Sequence, residues 1–115
     1  MAAPALAGIA HSGRSAIFTI NQSGANQGAV TLHLHRKTSS ISIQAIGATF
    51  DSASIALTVS NDGVNFVAPI TTFVALTAAG LRVLPADALG WLYYRFTWSA
   101  AGANAVTQLV VAAKE

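Results

Sequence analysis

Ser54-Ile55-Ala56-Leu57-Thr58-Val59-Ser60-Asn61-Asp62-Gly63 is the stretch whose reading decides the fold. Side chains of an extended chain alternate between its two sides, so Ile55, Leu57 and Val59 share one face. Ser54, Ala56, Thr58 and Ser60 share the other, which makes this a half-buried strand. Asn61-Asp62-Gly63 then stops it, because Asp-Gly accepts the positive φ that a tight turn requires. A hairpin is expected here, with Val64-Asn65-Phe66 beginning the return strand.

The same period continues outward in both directions. Upstream, Ile17-Phe18-Thr19-Ile20 is a short strand, closed by the turn-rich run from Asn21 to Gly28. Val30, Leu32 and Leu34 alternate with Thr31, His33 and His35. After a polar turn from Arg36 to Ser40, Ile41 to Ala45 alternate again until Ile46-Gly47 breaks the rhythm. A glycine at a phase change predicts a bulge or bend. Downstream, Pro69 confines the next segment to an edge or a loop, and Thr72 to Thr77 is β-prone. Leu81 to Leu84 and Ala105 to Ala113 read as strands, and Pro85 to Gly90 as a connection with one helical turn. Leu92, Tyr94, Phe96 and Trp98 share one face of an aromatic strand, with Tyr93, Arg95 and Thr97 on the other. Short strands separated by turns at variable spacing predict an all-β fold. The expected architecture is a jelly-roll or Greek-key β-sandwich of about eight short antiparallel strands with a short N-terminal arm. Residues 1–14 form that arm and residues 15–115 a single β-sandwich domain.

Charge is the unusual feature of the composition. Only 9% of the 115 residues are Asp, Glu, Lys or Arg, against roughly 25% in ordinary soluble domains. Hydrophobic residues make up 53%, and the mean hydropathy is +0.54. A free monomer relies on a charged, hydrated surface, so this composition predicts that copies of the same chain or another protein cover part of it, the alternative being a monomer coated in Ser, Thr, Asn, Gln and Ala. The basic residues Arg14, Arg36, Lys37, Arg82, Arg95 and Lys114 are scattered rather than striped, which argues against nucleic acid as a partner. No apolar run approaches the ~20 residues of a membrane span. The start, Met1 to Ala10, lacks a basic segment and has an early proline, so it reads as an arm rather than a signal peptide. Its Pro4, Leu6 and Ile9 are candidate contacts with a neighbouring subunit.

The hairpin stretch, Ile55 to Phe66, resembles the "strand, Ser-x-Asp-Gly-x-x-aromatic" element of small bacteriophage virion β-sandwich proteins. Two further elements of that pattern have counterparts in Gly80-Leu81-Arg82-Val83-Leu84-Pro85 and Tyr93-Tyr94-Arg95-Phe96. The resemblance covers about the last two-thirds of the chain. It implies a jelly-roll capsid decoration (cement) protein seated on the major capsid protein, typically a homotrimer, although dimers also occur among such proteins. The chain would then be made in the host cytoplasm and reside on the capsid surface of the virion. A carbohydrate-binding module using Trp91, Tyr93 or Trp98 as a sugar platform is the alternative, followed by a tail, neck or fibre component.

Candidate sites are few. His33 and His35 lie two residues apart on one strand face, a geometry that suits a metal if a third ligand joins them, and His11 is the only other histidine. Two polar positions on a solvent-facing or subunit-facing strand surface are the favoured explanation of the pair, and no metal or cofactor is expected. Asp51 and Asp62 fall in turns, where Asp caps backbone N–H groups, and Glu115 is terminal, so no carboxylate pair for catalysis is evident. The glycines form no phosphate loop. With zero cysteines, thiol chemistry and disulfides are excluded. Tyr93 and Arg95, sharing the face opposite Tyr94 and Phe96, are the better interface candidates. Together with His33 and His35, they complete a reading in which the chain binds and assembles rather than catalyses.

Overall fold

The computed structural model describes residues 2–12, 15–34, 39–68, 75–85 and 88–114. Eight strands carry the chain: β1 (Ala2–Ser12), β2 (Ser15–Ser23), β3 (Gly28–His33), β4 (Ser40–Thr49), β5 (Ser54–Ser60), β6 (Gly80–Val83), β7 (Tyr93–Ser99) and β8 (Val106–Lys114). They form a five-stranded sheet, β1-β2-β8-β4-β6, facing a three-stranded sheet, β3-β7-β5, and every pairing between them is antiparallel. From β2 to β5 the chain changes sheet at every step, and from β6 to β8 it does so again. Between β5 and β6, Val67 and Leu76 bridge to Val59 and Ile55 on the open edge of β5. That crossing pattern, two interleaved Greek keys, is the jelly roll.

The alternation read from the sequence sets which side chains meet. Phe18 and Ile20 of β2, Ile41 and Ile43 of β4, and Leu109 and Val111 of β8 are buried on the inner face of the larger sheet. Leu32, Ile55, Leu57, Val59, Tyr94, Phe96 and Trp98 oppose them from the smaller sheet, and all belong to one core. A polar chain crosses this core. The Trp98 indole N–H donates to Thr107 Oγ1 (2.9 Å), and the Thr107 hydroxyl donates to Gln22 Oε1 (2.6 Å). The Gln22 amide in turn donates to the carbonyls of Gly24 and Asn26.

Two expectations change. The stretch read as a free arm is strand β1, paired along its length with β2, from Ala2 opposite Ser23 to Ser12 opposite Ser15. Alternating small and apolar residues satisfy a strand as readily as an extended arm, and the open edge of β2 supplies the partner N–H and C=O groups. The predicted return strand at Val64-Asn65-Phe66 is instead an irregular loop, and pairing with β5 resumes only at Val67. The predicted irregularity at Gly47 is present: the β4–β8 register shifts between Gly47 and Thr49. A Cβ on Gly47 would lie 2.5 Å from the Val106 carbonyl oxygen, so the close approach of the two backbones requires glycine there. Among the described residues, no helix is long and apolar enough to cross a membrane.

Candidate interaction surfaces

The outer face of the three-stranded sheet brings three of the sequence-predicted residues together. Antiparallel pairing of β3 and β7 sets His33 opposite Tyr93 and Thr31 opposite Arg95. The His33 and Tyr93 rings stack with centroids 4.4 Å apart and planes 15° from parallel. Arg95 Nε donates to Thr31 Oγ1 (3.4 Å), and its guanidinium sits 3.7 Å from the centre of the Phe66 ring, a cation–π contact. His35 lies outside the described residues. Among those described, no group of three or more His, Asp or Glu is placed to hold a metal.

Phe66 reaches Arg95 because of how the preceding loop closes. Ser60 is buried at the end of β5, where its hydroxyl donates to Asp62 Oδ1 (2.7 Å) and accepts from the N–H groups of Asp62 and Gly63. Asp62 Oδ1 accepts from the N–H groups of Val64 (2.9 Å) and Asn65 (2.8 Å), and Oδ2 from the Asn65 side-chain amide (2.8 Å). Those backbone donors are the ones a hairpin return strand would have used, which is why the return strand does not form at once. The same bonds hold the Asp62 carboxyl far below the usual carboxylate range, the N–H of Asn65 first and that of Val64 next. Gly63, at φ 75°, packs on the Tyr93 ring from the β5 side, and an added Cβ would lie 3.1 Å from a ring carbon.

The aromatic residues are therefore occupied within the chain. Tyr93 is flanked by His33 and Gly63, Trp98 is buried and bonded to Thr107, and Trp91 packs half-buried against the core. Tyr94 is buried with its hydroxyl donating to the Ala88 carbonyl (2.7 Å). Loss of hydration on burial raises its pKa, opposed by a hydrogen bond with the Trp91 backbone.

The N-terminal candidates divide. Pro4 is buried, with its ring beside Gly28. Leu6 and Ile9 pair with Ile20 and Phe18, so they face the inner side of the larger sheet, yet they remain 40% and 50% exposed. The smaller sheet ends at β3 and covers β1 only in part, so these two apolar side chains overhang the core's flank.

Half of the exposed large hydrophobic side chains among the described residues lie elsewhere, on the outer face of the five-stranded sheet. Register places Ile17, Ala112, Ser42 and Val83 in one row across β2, β8, β4 and β6. The next row is Thr19, Val110, Gln44 and Leu81, and a third holds Asn21, Gln108 and Ile46. Asn21 and Gln108 bond to each other across the strands (2.9 Å). Among the described residues, Lys114, at the end of β8, is the only charged side chain in an outward register position on these strands. Arg82 pairs with Ile43 on the inner side, at the sheet edge. Leu81 and Val83 are 68% and 66% exposed, and Ile17, Ile46 and Val106 are exposed as well. None of these residues stood out in the sequence. The available signal was the run Leu109-Val110-Val111, apolar in both phases, which marks a strand covered on two faces.

Comparison with known proteins adds little. No family model matches the chain, and no curated protein matches it. Among solved structures, an RmlC-like cupin protein from Desulfovibrio desulfuricans aligns over 96% of this chain and 82% of its own, at 9% identity and a TM-score of 0.43.

Proposed function

We infer that this chain is a non-enzymatic structural subunit that associates with copies of itself and covers a larger protein lattice. A phage capsid decoration protein seated on the major capsid protein is the form that the sequence resemblance supplies. One observation carries the reading: a whole sheet face, five strands wide, presents neutral and apolar side chains to the outside, with its one described charge at the end. Exposed apolar area of this extent costs a free monomer solubility and favours association.

The polar side chains support the same reading by what they are used for. Asp62 closes its own loop, and Asp51 accepts the N–H of Asn104 (2.9 Å). His33 stacks on Tyr93. Each is committed to holding loops or strands together. The described basic residues, Arg82, Arg95 and Lys114, sit on different parts of the molecule rather than along one groove.

Light scattering on the purified chain at micromolar concentration, followed by cosedimentation with empty capsids, tests the proposal. An oligomer that sediments with capsids in a saturable ratio is expected. A monodisperse monomer that stays in the supernatant would overturn it.

A further inference from the structure

We propose that the outer face of the five-stranded sheet pairs with the same face of a second copy of this chain, about a two-fold axis. This rests on the self-association inferred above and specifies its surface and geometry.

The dimensions fit. The face spans five strands, and its central strand β8 has nine residues. At about 4.8 Å between strands and about 3.4 Å per residue, less the short β6, its area is roughly 650 Å². Stable interfaces bury ~800 Å² per partner, give or take ~200. One such face against another reaches that range with no contribution from the rest of the molecule.

Charge selects the occupant. Stacking this face on the outer face of the three-stranded sheet would set it against Arg95 and His33, and burying a guanidinium with no carboxylate partner among the described residues is costly. Pairing the face with itself buries no charge among the described residues, because Lys114 lies in the last outward row and falls at the rim. The polar groups that go inside are neutral, and Gln108 already donates an amide N–H to Asn21 Oδ1. Two sheets of one hand pack readily face to face about 10 Å apart, and a self-complementary patch generates a closed pair. The arrangement is a dimer, the less common of the two states that the sequence resemblance implies.

Sedimentation equilibrium on the full chain and three variants tests this. Val110→Lys changes the centre of the face, Leu81→Lys its exposed edge, and Ala56→Lys the outer face of the other sheet. The expected result is a wild-type dimer, a dissociation constant raised by at least ~100-fold in Val110→Lys and Leu81→Lys, and no change in Ala56→Lys. Leu81 is largely exposed within the subunit, so Leu81→Lys keeps the test sound if Val110→Lys does not fold. A wild type that self-associates with both face variants unaffected would overturn the assigned face while leaving self-association standing. A wild-type trimer would overturn the two-fold pairing. A monomeric wild type would overturn the functional reading itself.

Discussion

Asp62 shows how a single residue redirects the chain. Its carboxylate collects the N–H groups of Val64 and Asn65, the Ser60 hydroxyl and the Asn65 amide, and so folds the loop back over Tyr93 and Arg95. These bonds favour the ionised form and depress the pKa in the folded chain. The stabilisation is thus fully present above the unfolded pKa of ~3.9 and is lost progressively as the pH falls from there toward the much lower folded pKa. Asp62→Ala should melt below the wild type at pH 7, with the gap in Tm narrowing steadily as the pH is lowered below 4; a gap independent of pH would contradict the assignment. Thr107 holds the buried polar chain together. Thr107→Val keeps the shape but strands the Trp98 N–H and the Gln22 carbonyl in the core. At ~1–3 kcal/mol for each of the two orphaned groups, the expected loss is about 2–6 kcal/mol in urea unfolding. Thr107→Ser should recover most of it.

At the scale of the element, β4 and β1 carry the clearest tests. Gly47 lets β4 approach β8 where the register shifts, and its position leaves no room for a methyl group against the Val106 carbonyl. Gly47→Ala should destabilise the fold by about 1–3 kcal/mol, read as a lowered denaturant midpoint at constant slope. Strand β1 covers the edge of β2 and brings Leu6 and Ile9 beside Ile20 and Phe18. Deleting residues 1–12 removes those strand bonds. It should lower the melting temperature by roughly 5 °C or more, whereas a free arm could be cut with no thermal effect. Pro4 and the two register shifts in β1 also blunt this long edge against pairing with another chain's strand. The proposed association accordingly uses the sheet face rather than the edge.

For the whole molecule, the decisive quantity is how apolar surface is distributed between inside and outside. Among the described residues, five of the ten exposed large hydrophobic side chains, Ile17, Ile46, Leu81, Val83 and Val106, lie on one sheet face. A partner that binds only the folded chain stabilises it by mass action. The wild-type melting temperature should therefore rise with protein concentration, and that of Leu81→Lys should not. Equal concentration dependence in both would place the association elsewhere.

The residues alone determined a good deal here. Period-two alternation in Ile55 to Val59 and in Tyr94 to Trp98 is a local property, and it correctly assigned the inner face, the core and the two-layer all-β class. The irregularity at Gly47 and the capping role of Asp62 were legible for the same reason, since each acts on its own neighbourhood. What lay beyond the sequence depends on partners distant along the chain. The residues of β1 do not reveal that β2 has an edge to offer, nor does Val64 reveal that Asp62 takes its N–H. Tyr93 and Arg95 were placed on the outer face of their strand, but only the fold brings His33 beside Tyr93 and Phe66 over Arg95. The neutral face required the order β2-β8-β4-β6, because only that register aligns Ile17, Val110, Leu81 and Val83 on one surface. Alternation settles which side of a strand a residue takes; the long-range pairing of the jelly roll settles what stands beside it.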